Sequence, residues 1–254
     1  MAPVEPAAGC FSFEERYGLF RGLPAGVSAG FTTGTERGRG AATRLARGLA
    51  TALGTPSARI ALARQVHGRN VLVVETAVNS PRSGIVGTGD ALMTREAGVL
   101  LGIQSADCVP ILLADGGGPW IAAVHAGWRG TAARILDAVL DSLEREGAPA
   151  SRLVAALGPC ISRDRYEVGP EVVKELSRTH EDLAVPFCAV RPGREDRAFL
   201  DVAAYNRALL VRRGVPPGRI LNASLCTASR PDLFPSYRRD GQGAGRIVTG
   251  IVRR

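Results

Sequence analysis

An α+β fold with mixed β-sheets is the architecture this sequence predicts, and three observations predict it. Apolar runs of strand length fall in groups, most densely over residues 89–126, and isolated amphipathic helices separate the groups. No regular βαβ alternation links them, which argues against a doubly wound parallel sheet. Neither an internal repeat nor a low-complexity linker divides the 254 residues, a length that one core can serve, so a single domain over 1–254 is expected.

The elements follow in order. Residues 1–27 read as irregular, because Pro3, Pro6 and Pro24 interrupt them, and SAGFTT (28–33) is the first strand candidate. GAATRLARGLATALG (40–54) aligns Leu45, Leu49 and Leu53 on one helical face, and Gly54 with Pro56 marks its stop. IALARQ (60–65) and VLVVE (71–75) read as strands turned by HGRN, which puts His67 at a corner; residues 76–88 read as a loop. GDALMT, GVLLGIQS, VPILLA and WIAAV continue the strands, the last two joined by DGGGP as a hairpin.

Thr131 is the expected cap of a helix with an apolar face of Ile135, Leu136, Val139, Leu140 and Leu143. RLVAALGPC is a strand, GPEVVKELSRTH a helix, and DVAAYNRALLVRRGV a helix capped by Asp201. NASLCT and GRIVTGIVRR close the chain as late strands.

A net charge of +8 invites a nucleic-acid reading. Lys174, however, is the only lysine, and the arginines are scattered rather than striped, so the expectation is a solvated basic surface and no nucleic-acid partner. No apolar run is long enough to span a membrane, and no secretory signal opens the sequence. Five widely spaced cysteines without a CxxC pair predict reduced thiols and a cytoplasmic protein.

The hairpin organises the candidate chemistry. Cys108 opens its first strand and His125 closes its second, so pairing brings both to one end. With His67 at a further corner they make three soft or borderline donors, the count of a catalytic zinc site with one open position. On spacing alone a metal-free Cys108–His125 nucleophile–base pair is an equal rival. His180 reads as a solvated helix end. Cys160 and Cys226 read as small buried residues, and Tyr166 and Tyr237 as base-stacking or packing groups. Asp107 can orient a ligand imidazole, shuttle a proton or cap a turn, and Asp90 carries the same ambiguity. Gln65 lies near His67, and Arg129 and Arg238 are the candidates for a bound anion.

The segments QVHG, GDALMT, SADCVPILL, VHAGWRGT, GPCI, YEVG and SYRRDG stand in the order and spacing of the YfiH-like family, from about Phe31 to Arg246. Its members have been labelled laccase-domain or polyphenol oxidase proteins and are regarded as purine nucleoside phosphorylases with adenosine deaminase activity. The resemblance implies a layered α/β/β/α domain and a zinc ion on His67, Cys108 and His125. It further implies purine nucleoside and phosphate as partners. Within that activity Cys108, His125 and Asp107 are the catalytic candidates and Arg129, Arg238 and Gln65 the substrate-binding candidates, on their residue chemistry and position alone. The older label implies copper. Three histidines cannot furnish a mononuclear site plus a trinuclear cluster, although one Cu2+ fits the same donors in vitro. Two further readings stay open: a cysteine or zinc hydrolase acting on cell-wall precursor amides, and a binding protein whose zinc is structural.

Overall fold

The computed structural model describes residues 10–34, 36, 38, 40–75, 83–180, 187–191 and 193–254. The first half comprises β1 (Phe11–Glu14), β2 (Tyr17–Phe20), β3 (Val27–Thr32), α1 (Ala41–Ala52), β4 (Arg59–Arg64), β5 (Val71–Val73), β6 (Gly84–Thr88), β7 (Ala91–Thr94) and β8 (Val99–Ser105). The central hairpin is β9 (Val109–Asp115) and β10 (Ile121–Ala126), followed by α2 (Trp128–Ala132), α3 (Ile135–Arg145) and β11 (Leu153–Leu157). Then come β12 (Glu167–Val168), α4 (Pro170–Thr179), β13 (Cys188–Arg191), β14 (Arg194–Leu200), α5 (Val202–Arg212), β15 (Ile220–Asn222), α6 (Tyr237–Asp240) and β16 (Ile247–Arg253).

Two mixed sheets face each other. One runs β1-β2-β3-β16-β8-β4-β6 and the other β15-β11-β9-β10-β7-β5, with a small β12-β14-β13 sheet beside them. The expected α/β/β/α layering follows from strand alternation. On β9, Leu112 and Ala114 point between the sheets, where they meet Phe31, Leu101, Ile103 and Ile247. Ile111 and Leu113 point the other way, onto Ile135, Leu136 and Val139 of α3 and Leu209 of α5. On the far side Leu45 and Leu49 of α1 cover Ile60, Leu62, Leu100 and Val248. Each such buried side chain contributes about 1.5–3 kcal/mol relative to exposure. These strands, apolar on both faces, are therefore held as the middle of a four-layer stack.

Several expectations need correction. Residues 11–20 form the β1–β2 hairpin, because Phe11, Phe13 and Phe20 gather edge-to-face around Phe31. The proline signal outweighed that alternation in the sequence. Residues 1–9 and 76–82 lie outside the described residues, but 84–88 form β6, paired in parallel with β4, rather than loop. The β13–β14 hairpin had no sequence counterpart. Thr131 lies inside α2; its hydroxyl meets Asn206, and Arg134, in the left-handed region, precedes α3 instead. Asp201 does cap its helix, accepting the Ala204 N–H at 2.8 Å.

His180 is buried rather than solvated. Its Nε2 sits 3.4 Å from Asp137 and its ring meets Tyr205 edge-on. The helix end turns inward there because Asp137, which also receives Arg213 and Arg134, offers a buried anion.

Candidate metal centre

The site forms where four backbone ends meet at one edge of the inter-sheet layer. β4 and β8 run parallel, so both deliver their C-terminal ends to this edge. Gln65 and Gln104, just beyond and just within those ends, exchange two hydrogen bonds at 2.7 and 2.8 Å. The β9–β10 register sets His125 opposite Pro110, which brings it beside Cys108. The chain turns through His67 (φ 61°) and Asp107 (φ 91°), both in the left-handed region. Such non-glycine strain costs about 1–3 kcal/mol per residue and persists only where surrounding bonds over-determine it.

Those bonds are identifiable. At the first corner the Asp90 carboxylate accepts the N–H groups of Val66, His67 and Gly68 at 3.2, 2.9 and 2.8 Å. At the second, Asp107 accepts the Thr227 hydroxyl at 2.6 Å, the Ser236 hydroxyl at 3.0 Å and the Arg238 N–H at 2.7 Å. The carboxylate beside the His125 imidazole is Asp90, 2.9 Å from its Nδ1, whereas the Asp107 oxygens are taken up by the C-terminal segment.

The donor atoms of His67, Cys108 and His125 all lie within 4.8 Å of one another. A tetrahedral zinc ion with bonds of about 2.0–2.3 Å holds its donors roughly 3.3–3.7 Å apart, so moving each donor inward by up to about 1 Å closes the group around one ion. The donor set fits as well, one sulfur and two imidazole nitrogens with His67 toward solvent and His125 buried. Burial opposes ionisation of Cys108, but contacts with His125 and His67 outweigh it and lower the thiol pKa. Burial likewise opposes charge on His125, and the Asp90 and Cys108 partners raise it. Asp90 is held at about 2, because the His125 and amide hydrogen bonds overcome desolvation. The fold therefore favours a Cys108 thiolate beside a protonated His125; a metal takes up the thiolate and displaces the imidazole proton on that side.

The three donors line a cavity of about 680 Å3. Gln65, Asp107, Arg129 and Arg238 also line it, with Tyr166 and Tyr237. Arg238 donates to the carbonyls of Arg165 and Glu167 and stacks over Tyr166 at 5.1 Å; Arg129 stacks over Trp128 at 4.3 Å. Trp128 and Arg246 also belong to the cavity, and neither was a candidate site residue on the sequence. Cys160 is buried. Cys226 is only partly so, and its sulfur accepts from the Ser162 N–H and hydroxyl.

Fold and site together define a class: a two-sheet α/β/β/α protein whose His–Cys–His group, able to hold a metal, opens onto a cavity of small-ligand size. Residues 12–254 match the family described as multi-copper polyphenol oxidoreductase laccase, and the chain belongs to that family. It is 38% identical over 207 residues to adenosine deaminase RL5 of an unknown prokaryotic organism, spanning 80% of this chain and 78% of that one. It is also 38% identical over 193 residues to a purine nucleoside phosphorylase of Bacteroides thetaiotaomicron, spanning 74% and 71%. Among solved structures, Bacillus licheniformis hypothetical protein YfiH superposes with a TM-score of 0.87 at 26% identity, covering 96% of this chain and 99% of that chain.

Proposed function

We propose that this protein is a zinc-dependent purine nucleoside phosphorylase. It converts adenosine, inosine or 5′-methylthioadenosine with phosphate to the free base and a ribose-1-phosphate type product, and deaminates adenosine at the same centre. The observation that carries the reading is the convergence of His67, Cys108 and His125 on the wall of an arginine-bearing cavity. The names of the two curated relatives support the substrate class.

Zinc held by these residues, when bound, supplies Lewis acidity toward water or a substrate heteroatom. The protein's own groups do the rest. Arg129 and Arg238 offer planar, permanently charged donors for phosphate, suited to bidentate contact. The Tyr166 and Trp128 rings, already under guanidinium groups, give the cavity flat apolar surfaces against which a purine can stack. Asp107, the chain neighbour of Cys108, accepts the Arg238 backbone N–H, so the cysteine and the arginine keep a fixed relation. Gln65 spends its amide on the Gln104 backbone and braces the cavity wall. Multi-copper chemistry is poorly supplied: of the three histidines, His180 is committed to Asp137. The protein acts in the cytoplasm in this reading, as its reduced cysteines suggest.

One observation favours a second reading. Cys108, His125 and Asp90 form a thiol–imidazole–carboxylate series like that of a cysteine hydrolase, which needs no metal. Metal analysis of the purified protein separates the two. About one zinc per chain, lost in Cys108→Ala together with nucleoside turnover, is expected. Metal-free protein that hydrolyses an amide through Cys108 favours the second reading.

A further inference from the structure

Asp90 is fully buried between the two histidine-bearing segments and bonds to both. Oδ1 accepts the His67 N–H at 2.9 Å and lies 2.9 Å from Nδ1 of His125. Oδ2 accepts the N–H groups of Val66 and Gly68, and the Asp90 carbonyl accepts the His125 N–H at 2.7 Å. A carboxylate surrounded by three amide donors acts as an acceptor, so the proton in the fourth contact belongs to His125 Nδ1. That leaves Nε2 as the nitrogen directed toward Cys108 and His67.

We propose that Asp90 is the positioning residue of the metal centre, fixing the ring orientation and proton of His125 while it builds the His67 corner, so that two of the three donors are assembled before an ion arrives. The proposal rests on the metal reading given above. Asp107, the other buried carboxylate at this edge, is committed to Thr227, Ser236 and Arg238 and takes no part in holding the histidines. The His67 corner is in the left-handed region, which a chain adopts when consecutive N–H groups share one acceptor, and Asp90 is that acceptor. Hydrogen bonding of a ligand imidazole to a carboxylate orients it and raises its basicity. Here one carboxylate serves two ligands through different means, a ring nitrogen on one and backbone amides on the other.

Asp90→Asn tests this, because asparagine keeps the shape and has one acceptor oxygen. If that oxygen stays on His67 and His125, the new NH2 faces the N–H groups of Val66 and Gly68. If the amide turns over, it donates to His125 Nδ1 and moves the ring proton to Nε2, removing a donor. Zinc affinity, measured by competition with a chromophoric chelator, is expected to weaken roughly 10–100-fold. In nitrogen-resolved NMR, a slowly exchanging His125 Nδ1–H is expected in the wild type; in the variant it exchanges faster, because a neutral amide oxygen is the weaker acceptor, or vanishes if the amide turns over. Asp115→Asn is the control: a buried carboxylate paired with Arg152 at the opposite end of the β9–β10 hairpin, expected to leave affinity and the Nδ1–H unchanged. Wild-type zinc affinity in Asp90→Asn, or equal weakening in Asp115→Asn, overturns the proposal. If the wild type binds no zinc, the metal reading fails, and the Nδ1–H signal still judges Asp90. If Asp90→Asn does not fold, a wild-type His125 without a protected Nδ1–H overturns the proposal by itself.

Discussion

The Cβ that Gly127 lacks would lie 2.6 Å from the Sγ of Cys108. The backbone there has φ −74°, open to any residue, so the requirement for glycine is one of space rather than of conformation. The sulfur occupies the volume a side chain would take, which is how the end of β10 and the start of β9 approach closely enough to set Cys108 beside His125.

Gly127→Ala is therefore expected to displace the Cys108 sulfur or the 126–128 backbone. An overpacking strain of about 1–3 kcal/mol, borne by the donor geometry, corresponds to a loss of metal affinity of roughly 5- to 150-fold. Chelator competition reads it directly. Wild-type affinity in this variant would show that the cavity wall yields elsewhere.

The two cavity arginines should separate kinetically. Arg129 is held by its stacking on Trp128, a contact of about 0.5–1 kcal/mol when exposed. Arg238 also bonds two carbonyls. Arg129→Ala is expected to raise the KM for phosphate by about tenfold or more, the loss of one charge-assisted hydrogen bond, with little change in Tm. Arg238→Ala should raise that KM and lower Tm as well. Steady-state kinetics with phosphate varied at saturating nucleoside, beside thermal melts, checks both.

The buried Asp137 gives a pH signature remote from the site. Its His180 contact above all, with the Arg213 and Arg134 hydrogen bonds, outweighs burial and holds the carboxyl well below the usual carboxylate range. A depressed carboxylate stabilises the fold above its unfolded pKa of about 4 and loses that contribution as pH falls through the folded value. Asp137→Asn should destabilise by about 2–4 kcal/mol at neutral pH, and the gap from wild type should narrow as pH drops below about 4. Denaturant melts across pH check this; a gap that widens on acidification would contradict the assignment.

How much of this was legible in the sequence depends on the kind of force involved. The β9–β10 hairpin and α1 were readable because alternation, turn residues and leucine spacing are local signals. The meeting of Cys108 with His125 was readable for the same reason, since one turn joins their strands. His67 could be placed at a corner, but its approach depends on the β4–β8 parallel pairing, which no local pattern encodes. Asp90 and Asp107 looked alike in the sequence. Only long-range contacts part them, Asp90 toward His125 and Asp107 toward Thr227 and Ser236. His180 misled because its polar neighbours in sequence are not its neighbours in space. Phe11 and Phe13 were hidden by nearby prolines, and their partner Phe31 lies on another strand.

The most direct test of zinc-dependent phosphorolysis is product analysis of zinc-loaded protein incubated with adenosine, with and without phosphate. The expected result is ribose-1-phosphate only when phosphate is present, in an amount equal to the free bases adenine and hypoxanthine together, inosine accumulating without phosphate, and none of these products after chelation or in Cys108→Ala. Adenosine left intact by the zinc-loaded wild type, or turned over equally well by Cys108→Ala, would contradict it.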